Sequence, residues 1–251
     1  MASILHKRKA ADPSASDLTV GELAINTSDG GLFTKTSGGS VVEVGSGGGG
    51  GVSSDAQYNT VAGTNAGDSF SGTDAEKNTL FGYNAGTAIT TGDNNTVIGY
   101  EALKSNTTGS TSVAIGHQAL YTTTGTALAV AIGDSSQYSA TSDGIRNTSV
   151  GHNSFYNLTT GDNNCSLGKD AGKFVTTGSN NILIGYEAGA VGGPTGLTTG
   201  SNNIIIGKST ASSAVGVSNE ITLGNTDITK FRIPGINFSI KDSTATDNYV
   251  L

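Results

Sequence analysis

The sequence predicts an all-β chain wound as a parallel β-solenoid with coils of about 17 residues, and three observations carry that prediction. Ten short apolar or β-branched runs each end in a glycine: Gly63, Gly82, Gly99, Gly116, Gly133, Gly151, Gly168, Gly185, Gly207 and Gly224. Their successive spacings are 19, 17, 17, 17, 18, 17, 17, 22 and 17 residues, a period too short for an ordinary domain and right for stacked coils. The composition agrees: of 251 residues 38 are Gly, none is Trp and 13% are charged. Such a bias also suits disorder, but disorder would not place an apolar residue immediately before every anchor glycine. A single coil buries two or three aliphatic side chains at about 1.5–3 kcal/mol each, against an ordering cost of about 1–2 kcal/mol per residue. Only stacking closes that deficit.

In chain order, residues 1–44 form a non-repeating head. Its basic cluster Lys7-Arg8-Lys9 reads as a solvated terminal arm. Glu22–Thr27 alternates as a strand, Asp29-Gly30-Gly31 supplies a turn and Leu32–Lys35 returns, which predicts a small β-hairpin. Residues 45–54, GSGGGGGVSS, read as a flexible linker. The repeats fill 55–226 as a shaft, and a dissimilar tail at 227–251 reads as a cap.

Within each repeat the residue before the glycine is always apolar, from Ala62 and Phe81 to Leu223. The residue three before it is β-branched in nine of ten repeats, the exception being Cys165. Positions two apart share a strand face, so this pair is expected to point into the coil, Cys165 with it. The residue between them is then expected to face outward. Seven of those ten positions are apolar, among them Leu80, Val97, Ala114, Ala131, Leu183 and Ile205. An apolar stripe facing water calls for a second buried surface, so the expectation is that parallel copies of the chain pack along it.

The corners carry turn chemistry. Thr-Thr-Gly recurs at 90–92, 107–109, 123–125, 159–161, 176–178 and 198–200. Asn stands four before the anchor glycine at 59, 78, 95, 147, 164, 181 and 203, where stacking predicts a hydrogen-bonded ladder. Ala85, Ala102, Ala119, Ala171 and Ala188, three after the glycine, suit a tight bend. The 22-residue interval after Gly185 contains AVGGPTG, a loop insertion at one corner.

Sharper chemistry is not indicated. A net charge of −7 argues against a nucleic-acid footprint. One cysteine permits no intrachain disulfide framework, and no run of apolar residues is long enough to span a membrane. No apolar h-region follows the first charges, which predicts folding in a cytoplasm without export. His117 and His152 share a slot that elsewhere holds Tyr, Lys, Asp or Asn, so exposed side chains are expected there rather than metal ligands. Gly-Asp-Asn-Asn at 92–95 and 161–164 could suggest calcium, but other corners replace the Asp with Ser or Thr, which favours turn geometry. Asp134, Asp143, Asp162, Asp170 and Glu187 offer carboxylates without a spacing that singles out a catalytic pair. Tyr83, Tyr100 and Tyr186 share a slot and suit either sugar stacking or packing on the next coil. The expectation is a non-enzymatic protein without cofactor or metal.

Two segments, NTLFGYNAGTAITTGDNNTVIGYEALKSNTTG and NNILIGYEAG, resemble the repeats of phage tail fibres and related chaperone-dependent fibre proteins. They also look like a longer-period relative of the head repeats of trimeric autotransporter adhesins. The resemblance covers most of 59–226 and implies a homotrimeric fibre of left-handed β-rolls. Separately, LTVGELAINTSDGGLFTK at 18–35 resembles the N-terminal segment of many phage tail-fibre proteins, where a G-E-L-A-I-N run precedes D-G-x-L-F. That resemblance implies a virion-attachment region using Leu18, Gly21, Glu22, Leu23, Ile25, Asp29, Leu32 and Phe33. It further implies a virion location, a tail or capsid protein as partner, and a host-surface polysaccharide or other receptor. The large self-cleaving C-terminal domain familiar in such fibres has no counterpart in this sequence, so trimerisation without it and prior cleavage both remain open. Two other readings stand beside this one. A bacterial trimeric adhesin would need a signal sequence and an outer-membrane anchor. A monomeric ice-binding solenoid would use the Thr-Thr pairs as a flat array.

Overall fold

The computed structural model describes residues 6–9, 14, 16, 18–20, 23–26, 32–35, 37–43, 52–71, 74–125, 128–141, 146–193, 196–230 and 232. Among them all regular structure apart from turns is β, in two separate sheets.

The first sheet has four strands, β1 (His6–Lys9), β2 (Leu23–Asn26), β3 (Leu32–Lys35) and β4 (Val41–Glu43), in spatial order β1-β2-β3-β4. β2 and β3 run antiparallel with Leu23 opposite Thr34 and Ile25 opposite Leu32, as do β3 and β4. The turn expected at Asp29-Gly30-Gly31 lies outside the described residues. The basic cluster is not a free arm: β1 pairs parallel with β2, Lys7 opposite Ala24 and Arg8 opposite Ile25. Leu18, Ala24 and Phe33 form a small core with Val41 packed against it.

The second sheet holds eleven strands in strict sequence order. It opens with β5 (Ser53–Ser54), antiparallel to β6 (Thr60–Ala62), so the end of the expected linker belongs to the shaft. From there nine parallel steps climb through β7 (Thr79–Phe81), β8 (Thr96–Ile98), β9 (Val113–Ile115), β10 (Val130–Ile132), β11 (Thr148–Val150), β12 (Cys165–Leu167), β13 (Ile182–Ile184), β14 (Ile204–Ile206) and β15 (Ile221–Leu223). Each strand is the three residues before an anchor glycine, and register is kept at every step. This is the parallel solenoid of about 17-residue coils that the period predicts.

Two glycine columns explain the period's rigidity. Gly82, Gly99, Gly151 and the other anchor glycines from Gly63 to Gly207 hold φ between +122° and +141°, and a Cβ on any of these three would stand 2.3–2.4 Å from the carbonyl oxygen of the next coil's glycine. Conformation and contact both demand glycine there. At Gly92, Gly109 and Gly178 contact alone does so, with the next coil's oxygen 2.1–2.3 Å from the added carbon.

The asparagine ladder forms as expected and is buried. Asn78 Nδ2 donates to Asn59 Oδ1 (3.0 Å) and to the Gly92 carbonyl (2.8 Å), and the backbone N–H of Asn95 donates to Asn78 Oδ1 (2.9 Å). The pattern repeats through Asn147, Asn164, Asn181 and Asn203. Ser112 and Ala129 interrupt the column, and the Gly109 corner, which already accepts from Asn95 Nδ2 (2.9 Å), is also held by Asn106. Its Nδ2 donates to the Gly109 carbonyl (2.8 Å), and its Oδ1 accepts from the Gly109 N–H (3.0 Å).

The coil interior reverses one expectation. Leu80, Val97, Ala114, Ala131, Leu183 and Ile205 are fully buried inside their own coils. They are not an outward stripe. The flanking positions, expected inside, face out instead, and Cys165 is half-buried on that outer face. Alternation tells which residues share a face, not which face is inside. Here the inner face is the one whose volume the rest of the coil complements. Small Ala114, Ala131 and Ser149 sit in coils where Leu120, Gln137 and Phe155 fill the slot four after the anchor glycine. Large Leu80 and Leu183 sit where that slot is Gly86 or Gly189, and a Cβ added there would strike the leucine. The +3 residues Ala85, Ala102, Ala119, Ala171 and Ala188 are all buried, as the tight bend predicts.

Candidate functional site

Three surfaces follow from this geometry. The first is the outer face of the long sheet. The strand residues at −1 and −3 stack in two columns, and their exposure rises toward the C-terminal end: Ile98 is exposed, then Leu167, Ile182, Ile206, Ile221 and Leu223. Ten strands at about 4.8 Å spacing and about 10 Å of strand length give a patch on the order of 450 Å². That matches the largest apolar patch of an ordinary monomer, about 300–600 Å², and Thr60, Thr79, Thr96 and Thr148 interrupt it. An apolar outer face therefore exists, carried by the opposite parity of residues to the one expected.

The second surface is the corner that follows each glycine. In the first slot Tyr83, Tyr100 and His117 stack on one another, with centroids 5.3 and 5.5 Å apart. Tyr83 and Tyr100 thus pack on neighbouring coils rather than forming an open sugar platform, while Tyr186 stands outside this stack with Lys169 over its ring (5.6 Å). Further along that column Asp134 stands between two histidines, Oδ2 3.2 Å from His117 Nδ1 and Oδ1 3.9 Å from His152 Nε2. All three side chains are about half exposed, and such an ion pair contributes little in water. Among the described residues no three His, Cys, Asp or Glu side chains assemble a metal-binding group.

Four residues along, Tyr121, Tyr138 and Tyr156 make a second stack with centroids 5.0 Å apart and planes within 7°. Lys104 lies over the Tyr121 ring and ion-pairs with Glu101 (2.6 Å). That lysine, with the Gln118 amide, holds the Glu101 carboxyl below the usual carboxylate range. Burial beside its two neighbours pushes the Tyr138 phenol up, so it stays a neutral donor. The signal for this column in the sequence is the recurrence of tyrosine five residues after Gly116, Gly133 and Gly151.

The third surface is a cavity of about 270 Å³ where the inserted loop leaves the corner. Asp170, Lys173, Phe174, Glu187 and Val191 are among its lining residues. The loop is pinned at its base, where the Leu197 N–H donates to the Gly189 carbonyl (3.0 Å) and Leu197 enters the core. Asp170 and Glu187 occupy the same slot on adjacent coils, a juxtaposition that linear spacing did not single out. Burial acts to raise the Asp170 carboxyl, and Asn153, Lys173 and Lys169 together outweigh it and hold the group low.

The remaining predicted residues resolve as follows. The Asp of Gly-Asp-Asn-Asn does turn work: Asp93 Oδ1 accepts the Glu76 N–H (2.8 Å), and serine hydroxyls at 110, 179, 201 and 218 accept in the equivalent place. That shared role explains why Asp and Ser interchange there. The first threonine of each Thr-Thr pair is tied down, with Thr90, Thr107, Thr159, Thr176 and Thr198 donating to carbonyls of the next coil at 2.7–3.3 Å. In the head, Leu18 and Phe33 are buried and Leu23 and Ile25 half-buried, while Leu32 lies in β3 opposite Ile25 of β2. Gly21, Glu22 and Asp29 lie outside the described residues. No protein-family model, curated protein or solved structure matches this chain.

Proposed function

We propose that this chain is a structural, non-enzymatic fibre protein: a parallel homotrimer that attaches to a virion through its N-terminal region and adheres to a host surface through its solenoid. The observation that carries the reading is the outward apolar ladder, which a second and third copy in the same orientation would cover at every coil. Trimerisation presents three identical corner surfaces, so weak contacts combine into strong attachment. The virion-attachment role and the left-handed winding rest on the sequence resemblance alone.

The test is solution mass by light scattering for the full chain and for Ile184→Asp/Ile206→Asp. A species of three chains that falls to one in the double variant, with unchanged far-ultraviolet spectra, supports the fibre. Cys165, half-buried on the same face, adds a second readout through thiol cross-linking between chains. A monomeric parent chain refutes the trimer. The ice-binding alternative loses ground because one threonine of each pair is committed to carbonyls within the solenoid, leaving a single row where two were needed.

A further inference from the structure

The second aromatic stack and the loop cavity belong to one corner. Counting from the anchor glycines, Lys104, Tyr121, Tyr138, Tyr156, Lys173 and Ala190 occupy one slot on successive coils. The tyrosine column therefore runs along the solenoid axis to Lys173, which lines the cavity. From Tyr121 to Lys173 the track spans roughly 15 Å, three coil steps at about 4.8 Å each. Lys104 pairs with Glu101 at one end; at the other Lys173 (3.3 Å) and Lys169 (3.6 Å) share Asp170, with Glu187 on the next coil as the second carboxylate, so neither end carries a net positive charge. A polyanion finds no unpaired lysine there.

We infer that this corner is a binding track for a neutral, linear polysaccharide, with a terminal or kinked unit seated in the cavity. The inference rests on the adhesive reading for its choice of biological ligand, while the site itself is built by one chain. Tyr138 has both ring faces covered by its neighbours and Tyr121 lies under Lys104, so the half-buried stack, with centroids 5.0 Å apart, presents mainly edges and phenol hydroxyls along the corner. Such a row hydrogen-bonds a polyhydroxylated chain lying along it and gives no flat platform for an isolated ring. The cavity supplies what the row lacks. Phe174 and Val191 offer apolar surface for the C–H face of a sugar, and Glu187 accepts from its hydroxyls. Lys173 stands 5.9 Å from the Phe174 ring centroid and 3.3 Å from Asp170, so it is oriented before any ligand arrives. The loop that builds the cavity is the largest departure from the repeat, and insertions in solenoids project from one face and commonly carry binding.

The experiment uses the full chain with neutral linear oligosaccharides of two to six residues, β-1,4-glucan and β-1,4-linked N-acetylglucosamine among them, and sulfated oligosaccharides as the contrast. Binding is read by saturation-transfer NMR and calorimetry, with solution mass measured on the same samples. Expected are saturable binding of at least one neutral series and tightening with length. Phe174→Ala should weaken it about tenfold, and Tyr138→Phe, which keeps the stack, about threefold. Glu187→Gln serves as the cavity variant should Phe174→Ala melt early. The inference is overturned if no neutral oligosaccharide saturates, if only sulfated ones do, if dimers bind as well as hexamers, or if the variants leave affinity unchanged. A monomeric sample that still binds a neutral series sinks the trimer and leaves the track standing; a trimer that binds none sinks the track alone.

Discussion

Replacing Asn164 by Ala removes one rung of the buried ladder, and its consequences can be counted. Asn164 Nδ2 donates to Asn147 Oδ1 (3.1 Å) and to the Gly178 carbonyl (2.8 Å), and its Oδ1 accepts from the backbone N–H (2.9 Å) and Nδ2 (3.1 Å) of Asn181. After truncation Asn147 Oδ1 keeps the Asn164 N–H, and Asn181 Nδ2 keeps the Gly200 carbonyl. The Gly178 carbonyl and the Asn181 N–H lose their partners. Each buried, unsatisfied group costs about 1–3 kcal/mol, which sets the expected destabilisation at about 2–6 kcal/mol. Urea unfolding at fixed protein concentration measures it, since subunit association would add to apparent stability. A loss under about 1 kcal/mol with unchanged slope would mean that the ladder is ornamental to the fold. Asn164→Asp sharpens the test. Its carboxylate still accepts from Asn181 but faces the Gly178 carbonyl, so burial and repulsion raise its folded pKa. The penalty is then complete above that raised pKa and fades as pH falls below it. Near neutrality the Asp variant should be weaker than the Ala variant, and in acid the order should reverse.

Gly151→Ala should abolish folding or cost at least about 3 kcal/mol, because φ is +138° and the new Cβ would stand 2.4 Å from the Gly168 oxygen; Gly193→Ala, with open space around it, should cost about 1 kcal/mol by thermal melting. Gln137→Leu should change stability by less than about 1 kcal/mol in urea. Gln137 Oε1 is buried without a partner, and Leu103 and Leu120 already occupy the same slot with the same positive φ, but leucine gives up the bonds that Gln137 Nε2 donates to the Val130 carbonyl (3.1 Å) and to Ser149 Oγ (2.8 Å). Asp170, held low in the folded state, contributes stability that is present above its unfolded pKa and lost as pH falls through the folded one. Asp170→Asn should therefore flatten the acid side of a Tm-against-pH curve.

Much of the local structure was legible from residues alone. The three residues before each anchor glycine are the strands β6 to β15, and Asn164 and its counterparts announced their ladder by recurring four before the glycine. Both signals are local, because a turn needs particular residues at particular φ and stacking repeats them. The cavity was not legible in the same way. Asp170 and Glu187 are 17 residues apart, as dozens of pairs in this chain are, and only the pinned loop at Gly189–Leu197 makes that pair line a pocket.

What the sequence by itself determined was the period, the coil and the presence of apolar residues on both faces of most strands. Both parities are mostly apolar, Thr60, Thr79, Thr96 and Thr148 on one and Ser149, Ser166 and Thr222 on the other being the exceptions, so alternation could not say which one the coil would enclose. The tertiary structure decided for Leu80, Val97 and Leu183 over Phe81, Ile98 and Ile184. The physical reason is volume. Each coil closes around a narrow interior that must be filled once, and the residue opposite, Gly86 or Phe155 or Gly189, leaves room for one particular partner. That complementarity spans six residues of turn, and it is realised only when the chain has come round to face itself.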